Sequence, residues 1–191
     1  MDLNKREIVD SLDNEPDWGV KEIKAPQVWS KTKGKGVKIA TIDTGIDMYH
    51  PDLEDRIKGK INMFEKSLDV TDEYGHGTHV AGLLVGKHTG VAPEAELYVS
   101  KVLNENGIGS MASVVDGITF AINHEVDILC ISLGVPYNIP LIIKRRIVEA
   151  YEAGITIVCA VGNNGSKDPL YPAYMDEVIA VGGLDKELNI A

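Results

Sequence analysis

The stretch Val37-Lys-Ile-Ala-Thr-Ile-Asp-Thr-Gly45 is a short β-branched apolar run that ends in polar residues and a glycine. Such a run predicts a parallel strand buried on both faces. Around it, apolar runs of strand length alternate with stretches of helical periodicity. Strands are predicted at 37–43, 97–103, 127–134, 155–162 and 178–184, and helices at 76–86, 112–125 and 140–154. This alternation predicts an α/β three-layer sandwich with a mainly parallel, doubly wound sheet.

The composition is that of one globular domain of 191 residues with a net charge of −10. The acidic balance argues against nucleic acid and membrane surfaces as partners, because both attract clustered Lys and Arg. No apolar run approaches the ~20 residues of a membrane span. The first residues carry no apolar signal segment, which favours a cytoplasmic location. A secreted location stays open if a prepro segment preceded this sequence.

Two further predictions concern the N-terminal residues and the cysteines. Residues 1–24 are polar and acidic and are predicted to form an extension that lies on the domain, which spans 25–191. Cys130 and Cys159 both sit inside apolar runs. Since two cysteines cannot form a disulfide framework, they are predicted to be buried reduced thiols.

Chemistry-bearing residues follow several of the predicted strands. Asp43 ends the first strand, Asn163 follows the strand at 155–162, and His76 begins a helix. In a parallel sheet these positions meet at the carboxyl edge. A buried carboxylate can orient an imidazole as a general base, and an asparagine can donate to an oxyanion. Taken singly, each residue is explained equally well as a turn, cap or structural residue.

Taken together, the motifs resemble those of the subtilisin-like serine proteases, the subtilase family, over about residues 17–185. The stretch Val37–Asp47 with His50-Pro-Asp-Leu53 resembles the family's aspartate motif, and Gly75–Gly82 resembles its histidine motif. Cys130–Gly134 and Ala160–Gly165 resemble its substrate-edge and oxyanion segments. The short acidic start resembles the intracellular members of the family.

The resemblance implies a role for each matching residue. Asp43 corresponds to the triad aspartate, His76 to the general base and Asn163 to the side-chain oxyanion donor. Peptide or protein substrates are expected to bind in extended form as an added strand. The segments on either side of that strand are Gly107, Ile108 and Gly109, and Ser132, Leu133 and Gly134.

The family's nucleophile, a Ser in a Gly-Thr-Ser-Met-Ala-x-Pro string after the oxyanion Asn, is not found in this sequence. Ser166 lacks that context, Ser110 is predicted to cap a helix, and Ser132 belongs to a substrate segment. The chain therefore looks incomplete at its C-terminus and inactive alone. Three explanations stay open: a part of a longer protease, which we favour; a short protein that binds peptides or a partner; and a split enzyme completed by a segment carrying the Ser.

No cofactor is expected. Residues 84–93 are too short for the calcium loop found in many family members, and calcium binding needs several oxygens at once. Calcium elsewhere stays possible. Asp47, Asp52 and Asp55 are predicted to be solvated or capping carboxylates. The predicted function is a serine-type endopeptidase, and the alternative is an inactive peptide- or partner-binding protein. A nucleotide-binding domain is disfavoured because no G-x-G-x-x-G follows the first strand.

Overall fold

One sheet of six parallel strands forms the centre of the molecule. The computed structural model describes residues 15–135, 139–165 and 168–190. The strands are β1 (Lys38–Asp43), β2 (Ile57–Asn62), β3 (Glu96–Lys101), β4 (Ile128–Ile131), β5 (Thr156–Ala160) and β6 (Ile179–Val181). They lie in the order β2-β3-β1-β4-β5-β6, and every neighbouring pair is parallel. The predicted doubly wound α/β fold is confirmed.

Helices cover both faces of this sheet. They are α1 (Trp18–Glu22), α2 (His76–Val85), α3 (Met111–Asn123) and α4 (Leu141–Glu152), with short 3₁₀ turns at Ala25–Val28 and Glu54–Arg56. The hydroxyl of Ser110 caps α3 by accepting the backbone N–H of Ser113, as predicted. No helix in the described residues is long and apolar enough to span a membrane.

The side chains of β1 divide the apolar core into two layers. Ile39 packs in a cluster that includes Ala81 and Val85 of α2. Ala40 and Ile42 point to the opposite face, in a cluster that includes residues of α3 and α4. Alternation along a strand sends successive side chains to opposite faces, so β1 is buried on both sides and fixes the three-layer arrangement.

Two elements differ from the sequence-based expectation. Strand β2 is not among the predicted strands, because its sequence Ile-Lys-Gly-Lys-Ile-Asn lacks a continuous apolar run. It pairs with β3 alone at one edge of the sheet. Helix α1 lies within the predicted polar extension, and its Val20 is buried. Residues 1–14 lie outside the described part, so the boundary at 24/25 stays a prediction.

Both cysteines have free thiols in apolar surroundings. Cys159 of β5 is buried and Cys130 of β4 is half-buried. Burial disfavours the thiolate and raises the pKa of Cys130 to about 11 and that of Cys159 to about 12. The thiols are therefore protonated and unreactive at neutral pH.

Candidate active site

The predicted site residues gather at the carboxyl edge of the sheet. Asp43 is the last residue of β1, the central strand at which the chain changes its direction of winding. Ser132 follows β4, and Asn163 lies three residues after β5. His76 opens α2, whose N-terminus lies beside the end of β1. In open α/β sheets this position beside the strand switch is where ligands bind.

Asp43 and His76 form a direct hydrogen-bonded pair. Asp43 is 1% exposed, and its Oδ1 lies 2.7 Å from Nδ1 of His76 and 2.7 Å from the backbone N of Thr44. An ionised carboxylate only accepts hydrogen bonds, so Nδ1 of the imidazole carries the proton and Nε2 is left as the base. The second carboxylate oxygen, Oδ2, is buried without a hydrogen-bond partner among the described residues.

The surroundings of His76 favour its protonated form. The hydrogen bond to Asp43 is the largest effect and raises the pKa of the imidazole. Partial burial opposes this, while the negative charges of Asp43 and Asp72 add to it. The hydrogen bond and the two negative charges also stabilise an imidazolium formed during proton transfer, whereas partial burial disfavours it.

An open cavity of about 400 Å³ lies beside the imidazole. His76, Asn163 and the segment Ser132, Leu133 and Gly134 all line it. The structure thus brings together residues from α2 and from the ends of β4 and β5, as expected from the sequence. Asn163 is exposed, so its side chain is accessible from this cavity. This arrangement leaves room for a substrate group between an imidazole and an amide.

A second, apolar cavity of about 260 Å³ adjoins the first, and Leu133 and Gly134 line both. The other predicted segment, Gly107, Ile108 and Gly109, lines it too. The two segments thus border one depression, as a strand-binding cleft requires. Sequence reasoning missed the rest of the wall, because its residues come from separate elements; they include Leu103, Val114, Ile139, Ile143 and Tyr171.

The backbone that follows His76 and the backbone that follows Asp43 are in close contact, and this contact depends on glycine. A Cβ atom built on Gly77 would lie 2.2 Å from the carbonyl oxygen of Gly45, a distance that real Cβ atoms do not reach. Gly45 is itself in the left-handed region, with φ +121°. The two glycines let α2 approach the end of β1 closely enough for the 2.7 Å bond.

Replacing Gly77 by alanine is expected to separate α2 from β1. Overpacking of this kind costs about 1–3 kcal/mol in the free energy of unfolding. Urea denaturation measures that loss. Gly82→Ala is the matched control in the same helix, since its Cβ would meet nothing closer than 3.9 Å. It should be neutral or stabilising by up to about 1 kcal/mol. Equal stability of the Gly77→Ala and Gly82→Ala variants would contradict the close-approach argument.

The serines of the described residues do not complete a triad. None of their hydroxyl groups lies within hydrogen-bond distance of the His76 imidazole in the described ranges. Ser110 serves the N-terminus of α3, and Ser132 lines the cavity beside His76. Ser166 lies outside the described residues.

The turn after α2 holds the carboxylate of Asp52. Asp52 was predicted to be solvated or capping; it is buried and caps the turn. Its Oδ1 accepts the backbone N–H of His88 at 2.8 Å, and its Oδ2 accepts the Thr89 hydroxyl at 2.7 Å. Protein donors therefore satisfy both carboxylate oxygens of Asp52. Asp47 and Asp55 are exposed.

Sequence reasoning missed three polar residues that surround the pair. Thr44 and Asp72 are hydrogen-bonded to each other and to the start of α2. Lys101 is buried at the end of β3, where its Nζ donates to the carbonyl oxygens of Thr44 and Thr71 at 2.7 and 2.8 Å. Lys101 interrupts the apolar run Leu97–Leu103, and a lysine in a predicted buried strand is a signal that a sequence reading can use.

A buried carboxylate hydrogen-bonded to a helix-starting imidazole, at the carboxyl edge of a parallel sheet, is the geometry of a site that uses histidine as a base. The model of the subtilase family, peptidase S8, matches residues 34–191. The chain belongs to the subtilase family.

Individual relatives agree with this assignment. The Major intracellular serine protease of Bacillus subtilis (strain 168) is 43% identical, over 90% of this chain and 58% of its own length. The Intracellular serine protease of Paenibacillus polymyxa is 41% identical, over 90% of this chain and 57% of its own. The Minor extracellular protease Epr of Bacillus subtilis (strain 168) is 37% identical, over 95% of this chain and 29% of its own. The chain thus spans less than two thirds of each of these relatives.

Proposed function

We propose that this chain carries the Asp–His part and the oxyanion side of a serine-type endopeptidase site. The observation that supports this most is the 2.7 Å bond between Nδ1 of His76 and the buried carboxylate of Asp43, at the edge of an open cavity. Membership of the subtilase family supports the same reaction class.

Each residue has a defined part in the proposed reaction. Nε2 of His76 takes the proton from a serine hydroxyl as that oxygen attacks the peptide carbonyl, and later returns it to the leaving amine. Asp43 keeps the imidazole in the required tautomer and stabilises the imidazolium. The side-chain amide of Asn163 donates to the oxyanion that forms on the carbonyl oxygen. The attacking serine belongs to a segment outside these 191 residues.

The substrate in this proposal is an extended peptide. Gly107–Gly109 and Ser132–Gly134 offer two main-chain segments between which a strand can lie, and recognition of main chain implies broad specificity. Side chains alternate along an extended peptide, so one of them falls into the apolar cavity lined by Val114 and Ile143. We propose that this cavity selects a bulky apolar side chain of the substrate.

The proposal is tested by labelling with a fluorophosphonate probe, which reacts with an activated serine. The 191-residue chain is mixed with a second polypeptide that carries the family's Gly-Thr-Ser-Met-Ala-x-Pro segment; we call this mixture the complemented chain. We expect no label on the 191-residue chain alone and labelling of the added serine in the mixture. Labelling of the chain alone that Ser110→Ala or Ser132→Ala abolishes would overturn the assignment.

The inactive binding protein is the second candidate, and the two cleft segments are the observation that favours it. It predicts that the chain alone binds extended peptides with an affinity that His76→Ala leaves unchanged. It also predicts no labelling under any of these conditions. Calorimetric titration with a peptide, run beside the labelling experiment, separates the two candidates.

Filling the apolar cavity should change the choice of substrate. Val114 lies on α3 and lines the cavity, so Val114→Phe removes space at its wall. Burying a large apolar side chain is worth about 1.5–3 kcal/mol, or roughly 10- to 150-fold in kcat/KM. We expect Val114→Phe to remove most of the preference of the complemented chain for a bulky over a small side chain. Val115→Phe, on the same helix but outside the cavity lining, is the control that should retain the preference.

We also propose a cytoplasmic location. The net charge of −10 and the two relatives described as intracellular support it. The relative described as extracellular is less similar, at 37% identity. Detection of the protein in the culture medium of intact cells would contradict this proposal.

A further inference from the structure

The Asp43–His76 pair is held by one carboxylate oxygen. Oδ1 accepts both the imidazole and the Thr44 backbone N–H, while Oδ2 has no partner among the described residues. A single hydrogen bond does not fix the plane of an imidazole ring. The orientation of His76 therefore depends on what holds the start of α2 against the end of β1.

The side chain of Thr44 makes that connection. Its hydroxyl accepts the backbone N–H of Gly77 at 2.9 Å and donates to Oδ1 of Asp72 at 2.8 Å. Thr44 directly follows Asp43, and Gly77 directly follows His76. The Thr44 hydroxyl thus links the residue after Asp43 to the backbone of the residue after His76, and it also hydrogen-bonds to the carboxylate of Asp72.

Asp72 completes the connection on both sides of His76. Its Oδ1 accepts the backbone N–H of Gly75 at 2.8 Å, and its Oδ2 accepts the backbone N–H and hydroxyl of Thr78 at 2.8 and 2.7 Å. Helix α2 begins after a glycine, which has no side chain to cap it. In the first turn Asp72 accepts the N–H of Thr78 instead, while the N–H of Gly77 goes to Thr44. The negative charge of Asp72 is also favourable at a helix N-terminus.

Asp72 is ionised in this position. Burial alone would raise the pKa of its carboxyl group, but the hydrogen bonds from Thr78, Gly75 and Thr44 outweigh burial and lower it. Three other charged groups lie around the network. The carboxylate of Asp43 faces the imidazole. The Nζ of Lys101 donates to the carbonyl oxygens of Thr44 and Thr71 and lies 3.8 Å from the carboxylate of Glu73. Asp72 also contributes a charge that acts on His76.

We infer that Asp72 is a positioning residue for His76: acting through Thr44 and the first turn of α2, it holds the imidazole against Asp43. The inference rests on the proposed function for its catalytic meaning. The geometry it describes is independent of the nucleophile, because every residue of the network lies within this chain.

Histidine-labelled NMR on the 191-residue chain tests the inference without any activity. In Asp72→Asn we expect the pKa of His76 to fall, because a negative charge beside the imidazole is removed. We also expect the low-field signal of the Nδ1 proton to weaken as the bond to Asp43 loosens. Asp69→Asn is the matched control: Asp69 is exposed in the same loop, and its carboxylate accepts hydrogen bonds from Thr71 rather than from α2. It should leave both signals as in the wild type.

Substitutions of Thr44 test the hydroxyl contact separately from the charge of Asp72, and they test the inference even if Asp72→Asn does not fold. Thr44→Val keeps the carboxylate but loses the link, so the Nδ1 proton signal should weaken, and Thr44→Ser should restore it. An unchanged pKa and Nδ1 signal in folded Asp72→Asn would overturn the inference, as would equal changes in Asp69→Asn. In an active complemented chain, Asp72→Asn should lower kcat by up to about 100-fold with little change in KM. Failure of complementation with the NMR changes present would instead count against the proposed function.

Discussion

Replacing His76 by alanine in the complemented chain should lower kcat by about 10⁶-fold, the size of the loss known for subtilisin when its histidine or serine is removed. The physical reason is that an alcohol is a weak nucleophile at neutral pH unless a base takes its proton during attack. In the described residues, the imidazole of His76 is the one base hydrogen-bonded to a carboxylate at the edge of the cleft. Among the described residues that line this cavity, no other side chain is a base.

The measurement is the rate of hydrolysis of a chromogenic peptide, with kcat and KM determined separately. The loss should appear in kcat, because alanine at this position leaves the cleft segments 107–109 and 132–134 unchanged. His88→Ala is the matched control, since His88 lies in the turn after α2 and contacts Asp52 through its backbone. Residual activity within tenfold of the wild type in His76→Ala would exclude His76 as the general base.

The sheet and the positions of its polar residues could be predicted because they depend on local pattern. A β-branched run such as Val37–Ile42 has few alternatives to a buried strand, and the carboxyl ends of parallel strands meet at one edge. This is why Asp43, His76 and Asn163 were expected together from the sequence. The structure places them at one edge, where Asp43 is hydrogen-bonded to His76, and His76 and Asn163 line one cavity.

Other features could not be predicted because distant parts of the chain create them. Strand β2 has lysines and a glycine in its interior, and it is stable as a strand only because β3 pairs with it. Asp72 sits in a loop and acquires its partners from Thr44, Gly75 and Thr78 when α2 packs against β1. No sequence periodicity marks such a residue. The wall of the apolar cavity has the same origin, in several separate elements.

The second large effect that we expect is a loss of kcat when Asn163 is replaced. Asn163→Ala in the complemented chain should lower kcat by roughly 10²- to 10³-fold, as is known for subtilisin on loss of its oxyanion asparagine. The amide contacts the carbonyl oxygen strongly only when negative charge develops there, so KM should change little. Asn163 follows Gly162, which has a φ of +101°, and it lines the same cavity as His76.

The same steady-state assay separates this role from a structural one. Asn123→Ala, at an exposed position at the end of α3, is the matched asparagine control and should leave kcat unchanged. Asn163→Asp tests the sign of the charge: it nearly keeps the shape of the side chain but places a carboxylate where an oxyanion forms, so its kcat should fall at least as far as that of Asn163→Ala. A kcat close to the wild type in Asn163→Asp would show that this side chain does not face the developing charge. A rise in KM with kcat unchanged would assign Asn163 to substrate binding instead, because only a contact made in the transition state lowers kcat alone.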